Sequence, residues 1–510
     1  MKELILALSI AAVSFSVMAG ENAQATSTAH PIDKFNDPAN YAGATYKHET
    51  RIGTLEYIGG YPTDETVQKA NDQVDLQRAT QVYLEFMPMM SNVGLYDMHA
   101  GEGVEKNGDV AIFTHPGHGK SGTVGLTYNT ESVYMSTTID LTDGPVILNV
   151  PPRVLGVVND TFMRWSGDLG MAGQDRGQGG KYVVVPPHYE GKLSKDHFVI
   201  RNASNRAWVM TRVFIEDSGI GPENVLPYYR KHLQIYNMGE EPRKDAKYIN
   251  SSNLGHNSLH ARDITYFKRL HAELQVEADG FLTPYQLGLL QTIGIEKGKP
   301  FNPDERMTAI LEEGIQIGDA YANANAYASR LPGIRPYEGS SWEQLFYGGT
   351  HNFTIDGVLN LDAQTLFHYE AIVITPAMAR KMPGIGSQYL VNYRDNNDNF
   401  LMGENTYKVT LPANIPAKDF WSFTLYHPDT RSLLQNGEDK PSVSTHDNPV
   451  MNEDGTYTLW VGPELPKGAP ESNWVKTIPN QGWSTMFRLY GPLEAYFDGE
   501  WQPGEIEIVK

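Results

Sequence analysis

Acidic and basic side chains alternate in a glycine-rich stretch, and they are the first candidates for chemistry in this chain. They are Arg164, Asp168, Asp175 and Arg176. Guanidinium and carboxylate groups on such a loop can hold a polar ligand through paired hydrogen bonds. The alternative is that these residues pair with one another and fix a long loop in place. Both interpretations stay open, and the four residues are ligand-binding candidates.

Two histidines, His115 and His118, lie close together just before Gly119-Lys120-Ser121. A pair of imidazoles could begin a metal site that takes its third ligand from elsewhere in the chain. Proline and glycine separate the two histidines and give no helical face, so an ordinary loop is favoured over a metal site. The chain has no cysteine and no Gly-x-Ser-x-Gly nucleophile motif. The sequence therefore assigns no cofactor and no catalytic residue.

A turn, a β-branched strand and a proline follow one another at residues 179–187, and a similar pattern recurs at 454–463. Each copy precedes a strand pattern with an aromatic residue and an arginine, Arg212 in the first and Arg488 in the second. The repeat predicts two related antiparallel β domains. Arginines inside strands and beside aromatic rings are more often structural than catalytic, so both are interpreted as structural.

The remaining patterns predict a multidomain α and β protein, with two antiparallel β-sandwich, jelly-roll-like domains and a helical domain. The β domains are predicted at 110–216 and 386–510, with short strands that include 124–128. Helical spacing predicts an N-terminal helical segment at 51–109 and the helical domain at 217–385. One helix is expected to begin with Asn302 as its cap, and another at Thr375-Pro376.

The amino terminus has the pattern of a secretory signal peptide. Lys2 precedes an apolar run at residues 4–17, and Val17-Met18-Ala19 offers small residues at a cleavage site. We therefore expect a signal peptide at 1–25, a polar leader at 26–50, and a periplasmic or secreted protein without a membrane span. A net charge of −20 argues against nucleic acid as a partner. The oligomeric state is left open.

Two series of motifs resemble known bacterial families. Domain of unknown function 1254 has similar residues at 57–62, 129–134, 140–145, 176–177 and 182–187. Its usual partner, domain of unknown function 1214, has similar residues at Tyr407, Pro416, 420–422, 454–455, 473–474 and 488–492. The resemblance covers nearly the whole expected mature chain and implies two jelly-roll-like sandwiches with a helical domain. Within these motifs, Tyr134 and Trp474 are further ligand-binding candidates. The resemblance implies no reaction.

Three classes of function stay open. The first, weakly favoured, is an exported enzyme that acts on a small polar or ester-bearing molecule in an inter-domain cleft. The second is a non-catalytic binder of glycans or polyols, in which tryptophans such as Trp474 would stack on the sugar. The third is a structural or interaction protein.

Overall fold

The computed structural model describes residues 45–115, 119–120, 122–214, 220, 222–252, 254–255 and 257–509. The expected signal peptide, most of the expected leader and His118 lie outside the described residues. The chain divides into two compact units, residues 1–73 and 74–510. Among the described helices, none combines the length and the apolar character that a membrane crossing requires.

A small antiparallel sheet forms the first described part of the 1–73 unit. Its strands are β1 Tyr46–Thr50, β2 Gly53–Ile58 and β3 Tyr61–Pro62. The helix Asp64–Glu85 begins immediately after it. The Thr63 hydroxyl accepts a hydrogen bond from the backbone N–H of Thr66 at 3.3 Å and caps this helix.

The 74–510 unit contains the other strands. In chain order they are β4 Val110–Phe113, β5 Ser132–Asp140, β6 Val146–Val150, β7 Leu155–Asp160, β8 Trp165–Gly170, β9 Gly180–Val185, β10 Phe198–Arg201, β11 Arg206–Phe214, β12 Gln234–Asn237, β13 Tyr248–Asn250, β14 Glu343–Gln344, β15 Thr354–Ile355, β16 Val358–Leu359, β17 Ser387–Asn392, β18 Tyr407–Leu411, β19 Ala417–Tyr426, β20 Ser442–Ser444, β21 Tyr457–Gly462, β22 Trp474–Lys476, β23 Ser484–Pro492 and β24 Glu507–Ile508.

The helices that follow the first one are concentrated between the two groups of strands, so the protein is mixed α and β. They are Met87–Glu102, Pro222–His232, Thr265–Val276, Pro284–Thr292, Glu305–Tyr327, Leu361–Glu370, Pro376–Ala379 and Glu494–Phe497.

Two sheets share one hydrophobic core in the first half of the chain. The six-stranded sheet has the order β13-β4-β5-β11-β7-β8, and the four-stranded sheet has the order β10-β9-β6-β12. Val133 and Val209 of the larger sheet lie in the same core as Leu148 and Val184 of the smaller one. Successive side chains of a strand point to opposite faces of the sheet. The side chains on the other face of the six-stranded sheet therefore do not pack in this core.

The second half also contains two sheets that share a hydrophobic core. A five-stranded sheet, β14-β17-β23-β19-β20, shares a core with a four-stranded sheet, β22-β21-β18-β24. In the first half β9 pairs parallel with β10 and antiparallel with β6. In the second half β21 pairs parallel with β22 and antiparallel with β18. The two sequence patterns at 179–187 and 454–463 therefore occupy equivalent places in their sheets.

Two local predictions are wrong. Residues 124–128 form a loop rather than a strand, with a single bridge from Val124 to Asn257. Thr127 has a φ of 49°, a left-handed conformation that a continuous strand does not accept. The long helix begins at Glu305 with Asp304 as its cap, not Asn302, because the Asp304 carboxylate accepts from the Met307 N–H at 2.7 Å.

The helix Glu305–Tyr327 approaches Tyr83 so closely that Gly318 has no room for a side chain. A Cβ atom there would lie 2.5 Å from Cδ1 of Tyr83, which is fully buried. Gly318→Val is therefore expected to lower the free energy of unfolding by about 1–3 kcal/mol. Gly288 is the control, because it is helical with nothing within 4 Å, and Gly288→Ala should stabilise by about 0.5–1 kcal/mol. Urea unfolding of both variants checks this, and equal effects would contradict it.

Candidate binding site

A cavity of about 140 Å³ lies between the remaining face of the six-stranded sheet and the five-stranded sheet. Its walls are mainly apolar and aromatic, with Leu126, Val157, Trp208, Met210, Leu345 and Met486 among them. Few charged side chains line it in the described part of the chain: Arg212, Arg488, Asp168 and His115. An apolar cavity with a small number of placed polar groups is the usual form of a small-molecule site.

The register of the six-stranded sheet positions one wall of the cavity. Arg212 of β11 lies opposite Tyr134 of β5 and Leu155 of β7. Two residues away, Met210 lies opposite Val157, which in turn lies opposite Asp168 of β8. Because residues two apart share a face, these side chains all project toward the cavity, and all of them line it.

The five-stranded sheet positions the opposite wall in the same way. Arg488 of the central strand β23 lies opposite Tyr389 of β17 and Ser422 of β19. Tyr490, two residues further, lies opposite Ser387 and also lines the cavity. Each half thus contributes an arginine from the middle of its sheet, paired across the strands with a tyrosine.

Arg488 is a buried cation that forms no ion pair with the described residues. Arg488 is 3% exposed, and its Nη2 donates a hydrogen bond to the backbone oxygen of Thr127 at 2.7 Å. The guanidinium lies 5.4 Å from the ring centre of Tyr426 and 6.0 Å from that of Tyr389. Its Nη1 is buried and has no hydrogen-bond acceptor. Among the described residues, no carboxylate oxygen lies within 4.0 Å of Arg488.

The buried carboxyl group of Glu131 interacts with the charge of Arg488. Burial raises the pKa of Glu131, while the Thr130 hydroxyl and the charge of Arg488 lower it. The net direction is upward, so the neutral form of this carboxyl is favoured relative to a carboxyl in water.

Arg212 connects the two walls of the cavity. Its Nη2 donates to the hydroxyl of Ser387 at 3.2 Å, and its guanidinium lies 5.5 Å from the ring centre of Tyr490. The Asn129 amide donates to the Tyr490 hydroxyl at 3.1 Å. Burial raises the pKa of Tyr134 and of Tyr490, so both phenols stay neutral and can donate hydrogen bonds.

Asp168 lines the cavity from the edge strand β8. The Thr375 hydroxyl donates to its Oδ1 at 2.7 Å, and burial raises the pKa of the carboxyl group. Thr375 in turn accepts from the Ala377 N–H at 3.2 Å as the cap of the helix Pro376–Ala379. The sequence predicted that helix start, and the cap also orients a carboxylate of the candidate site.

The structure separates the other loop candidates from this cavity. Arg164 pairs with Asp160, with Nε 2.7 Å from Oδ2, and stacks over Phe281. Asp175 accepts from the Tyr182 hydroxyl at 2.5 Å and from the Gly179 N–H at 2.9 Å.

Two more candidates, Arg176 and Trp474, also lie away from the cavity. Arg176 is exposed to solvent. The Trp474 indole donates to the Gly462 carbonyl at 3.2 Å. The four charged loop residues therefore do not converge on one ligand.

Of the sequence candidates, Tyr134, Asp168 and His115 line the cavity. No three histidine or acidic side chains of the described residues are grouped to hold a metal ion. Sequence analysis placed Arg212 and Arg488 after the two similar patterns but interpreted both as structural. It did not predict that the two arginines face one cavity.

Comparison with known proteins finds one family match in each half of the chain. Residues 110–237 match the family described as protein of unknown function (DUF1254), and residues 386–494 match protein of unknown function (DUF1214). The chain therefore carries a DUF1254 domain followed by a DUF1214 domain. The first range runs from β4 to β12 and contains Arg212, and the second contains Arg488. Residues 57–62, which resemble the first family, lie outside the matched ranges.

No curated protein matches the chain. Among solved structures, the VPA0106 protein from Vibrio parahaemolyticus is 18% identical, with 86% of this chain and 100% of that chain covered and a TM-score of 0.52. An uncharacterized protein from Burkholderia cenocepacia is 14% identical, with coverage of 86% and 96% and a TM-score of 0.41. The likeness to the Vibrio protein shows a shared fold.

Proposed function

We propose that this protein binds a small organic anion, a carboxylate on an apolar body, in the cavity between its two central sheets. The observation that carries the proposal is Arg488, a buried guanidinium with one unsatisfied nitrogen and, among the described residues, no carboxylate oxygen within 4.0 Å. A buried cation costs several kcal/mol unless it is paired. An anionic ligand would supply the missing partner.

The size and lining of the cavity support an apolar body of about one ring. Cavities of about 150 Å³ lined by aliphatic and aromatic side chains accept benzene, and this one measures about 140 Å³. Methionines at 210 and 486 adapt to an aromatic ring through favourable sulfur contacts. Benzoate is therefore a suitable probe for the site.

Binding is expected to depend on Arg488. Arg488→Gln should weaken benzoate binding by about tenfold or more, because a charge-assisted hydrogen bond is worth about 1.5–3 kcal/mol. Arg176→Gln is the matched control, since Arg176 is exposed and does not line the cavity. Isothermal titration calorimetry of the three proteins measures the affinities.

Two results would overturn the proposal. One is the absence of benzoate binding to the wild type at millimolar concentration, together with absence of binding by other small aromatic and aliphatic carboxylates. The other is an equal loss of affinity in Arg488→Gln and Arg176→Gln, which would show that the anion binds to charged side chains at the surface. Thermal unfolding of each variant verifies that it is folded.

The enzymatic role that the sequence weakly favours has one supporting observation. Asp168, a carboxyl group whose pKa burial raises, lines the same cavity and is oriented by Thr375. A carboxyl group that lines a cavity can act as a general acid or base on a bound ester. Release of an alcohol from alkyl benzoates, lost in Asp168→Asn, would identify a hydrolase.

We also propose that each half is a jelly-roll-like sandwich and that the two halves arose by duplication. The matching order and direction of strands around β9 and β21 support this. The central positions of β11 and β23, each with its arginine, support it too. Export to the periplasm or beyond remains a proposal that rests on the pattern at residues 1–25.

A further inference from the structure

The cavity has a second polar end, formed by Asp168, at a distance from the arginines. Asp168 is the carboxylate that lines the cavity in the described part of the chain. It lies on β8, and the order β11-β7-β8 places one strand between it and Arg212. The register sets them two residues apart along the strands, because Leu155 lies opposite Arg212 and Val157 lies opposite Asp168.

Sheet geometry gives the separation of these two ends. With strands about 4.8 Å apart and a rise of about 3.3 Å per residue, the Cα atoms of Arg212 and Asp168 are on the order of 12 Å apart. The side chains on the same face between them are apolar, namely Leu155, Val157 and Met210. The site therefore has a basic end, an apolar middle and an acidic end.

Asp168 has hydrogen-bonding capacity beyond its contact with Thr375. That hydroxyl donates to Oδ1, and a carboxylate offers about four lone-pair sites on its two oxygens. A partly buried carboxylate at the wall of an apolar cavity is costly unless a polar group faces it. Thr375 and Trp165 both bond this carboxyl group, and a donor on the ligand would add a further hydrogen bond on the side that faces the cavity.

We propose that the natural ligand carries a hydrogen-bond donor, a hydroxyl or an amino group, on the side of its apolar body opposite its carboxylate, and that Asp168 binds this donor. This inference rests on the proposed function, because the carboxylate end is the one that the arginines hold. It narrows the ligand class to hydroxylated or aminated carboxylic acids with a ring-sized spacer.

The test compares two probes that differ by one group, benzoate and 4-hydroxybenzoate, by calorimetry. The wild type should bind 4-hydroxybenzoate about tenfold more tightly, because a hydrogen bond to a charged group is worth about 1.5–3 kcal/mol. In Asp168→Ala this preference should fall to near one. Asp168→Asn keeps the shape and one acceptor oxygen, so its preference should be intermediate.

The outcomes separate this inference from the proposed function. Benzoate binding that depends on Arg488, with no preference for the hydroxylated probe in the wild type, overturns the role of Asp168 and leaves the anion site intact. If Asp168→Ala still prefers 4-hydroxybenzoate over benzoate, the role of Asp168 is likewise overturned and the anion site is not affected. If Asp168→Ala does not fold, Asp168→Asn decides, and an undiminished preference there contradicts the inference. A wild type that binds neither probe counts against the proposed function itself.

Discussion

Arg488→Met is expected to raise the free energy of unfolding of the unliganded protein by about 1–4 kcal/mol, the gain seen when buried ionic groups are replaced by apolar ones of similar volume. The reason is that Arg488 is buried, leaves Nη1 unsatisfied and has no carboxylate partner in the part of the chain that the structure describes. Methionine fills a similar space without a charge. Urea unfolding without ligand measures the change.

The same substitution separates a binding role from a structural one. If Arg488 is retained for an anionic ligand, Arg488→Met gains stability and loses benzoate binding, since functional sites are commonly less stable than they could be. If Arg488 is structural, its hydrogen bond to Thr127 and its contacts with Tyr426 and Tyr389 are lost, and the variant is less stable. A lower stability of Arg488→Met would contradict the binding role.

Arg431→Met provides the contrast for a structural arginine. Arg431 is as buried as Arg488, at 1% exposure. Its Nε donates to the Tyr369 carbonyl at 2.9 Å, and its guanidinium lies 4.0 Å from the Tyr369 ring centre. Loss of these contacts should destabilise the protein, so the two substitutions should have effects of opposite sign.

Stability is expected to fall as the pH rises from 5 to 8, by on the order of 2–3 kcal/mol for each of two buried carboxyl groups. Burial raises the pKa of Glu277 and that of Glu370 to about 7, from an ordinary value of 4.5. A carboxyl group whose pKa is raised on folding binds its proton more tightly in the native state. Its contribution is therefore present at low pH and is lost as the pH passes through about 7.

The contacts of Glu277 and Glu370 agree with a raised pKa. In each of them Oε1 is buried and has no hydrogen-bond partner. Glu277 accepts at Oε2 from the Asn205 N–H at 2.9 Å, which lowers its pKa but less than burial raises it. For Glu370 the charge of Arg431 acts in the same lowering direction and is also outweighed by burial.

Neutral substitutions isolate this effect from the general charge of the protein. Glu370→Gln and Glu277→Gln should each flatten the dependence of unfolding free energy on pH and should be more stable than the wild type at pH 8. Glu190→Gln, at an exposed position, should leave the slope unchanged. Urea unfolding at pH 5, 6.5 and 8 measures the slopes. Parallel curves for Glu370→Gln and the wild type would show that the group is ionised in the native protein across this range.

Part of the candidate site could be predicted from the sequence. Tyr134 and Asp168 were candidates because they lie in family-like or charge-alternating stretches, His115 was a candidate because His118 is close to it in sequence, and all three line the cavity. Arg164, Asp175 and Arg176 belonged to the same stretch, yet their partners are Asp160, Tyr182 and solvent. Neighbouring residues of a strand or turn point in different directions, so closeness in sequence does not give closeness of side chains.

The sequence by itself determined the strands around 180–185 and 457–462, the helix start at Thr375-Pro376, and the duplication-like order of motifs. These features follow from local chemistry: β-branched residues favour strands, while glycine, proline and capping hydroxyls mark their ends and the starts of helices. Only the tertiary structure decided that Arg212 and Arg488 face one cavity. That depends on which face of each sheet the hydrophobic core covers and on how two distant sheets approach, and no local pattern specifies either.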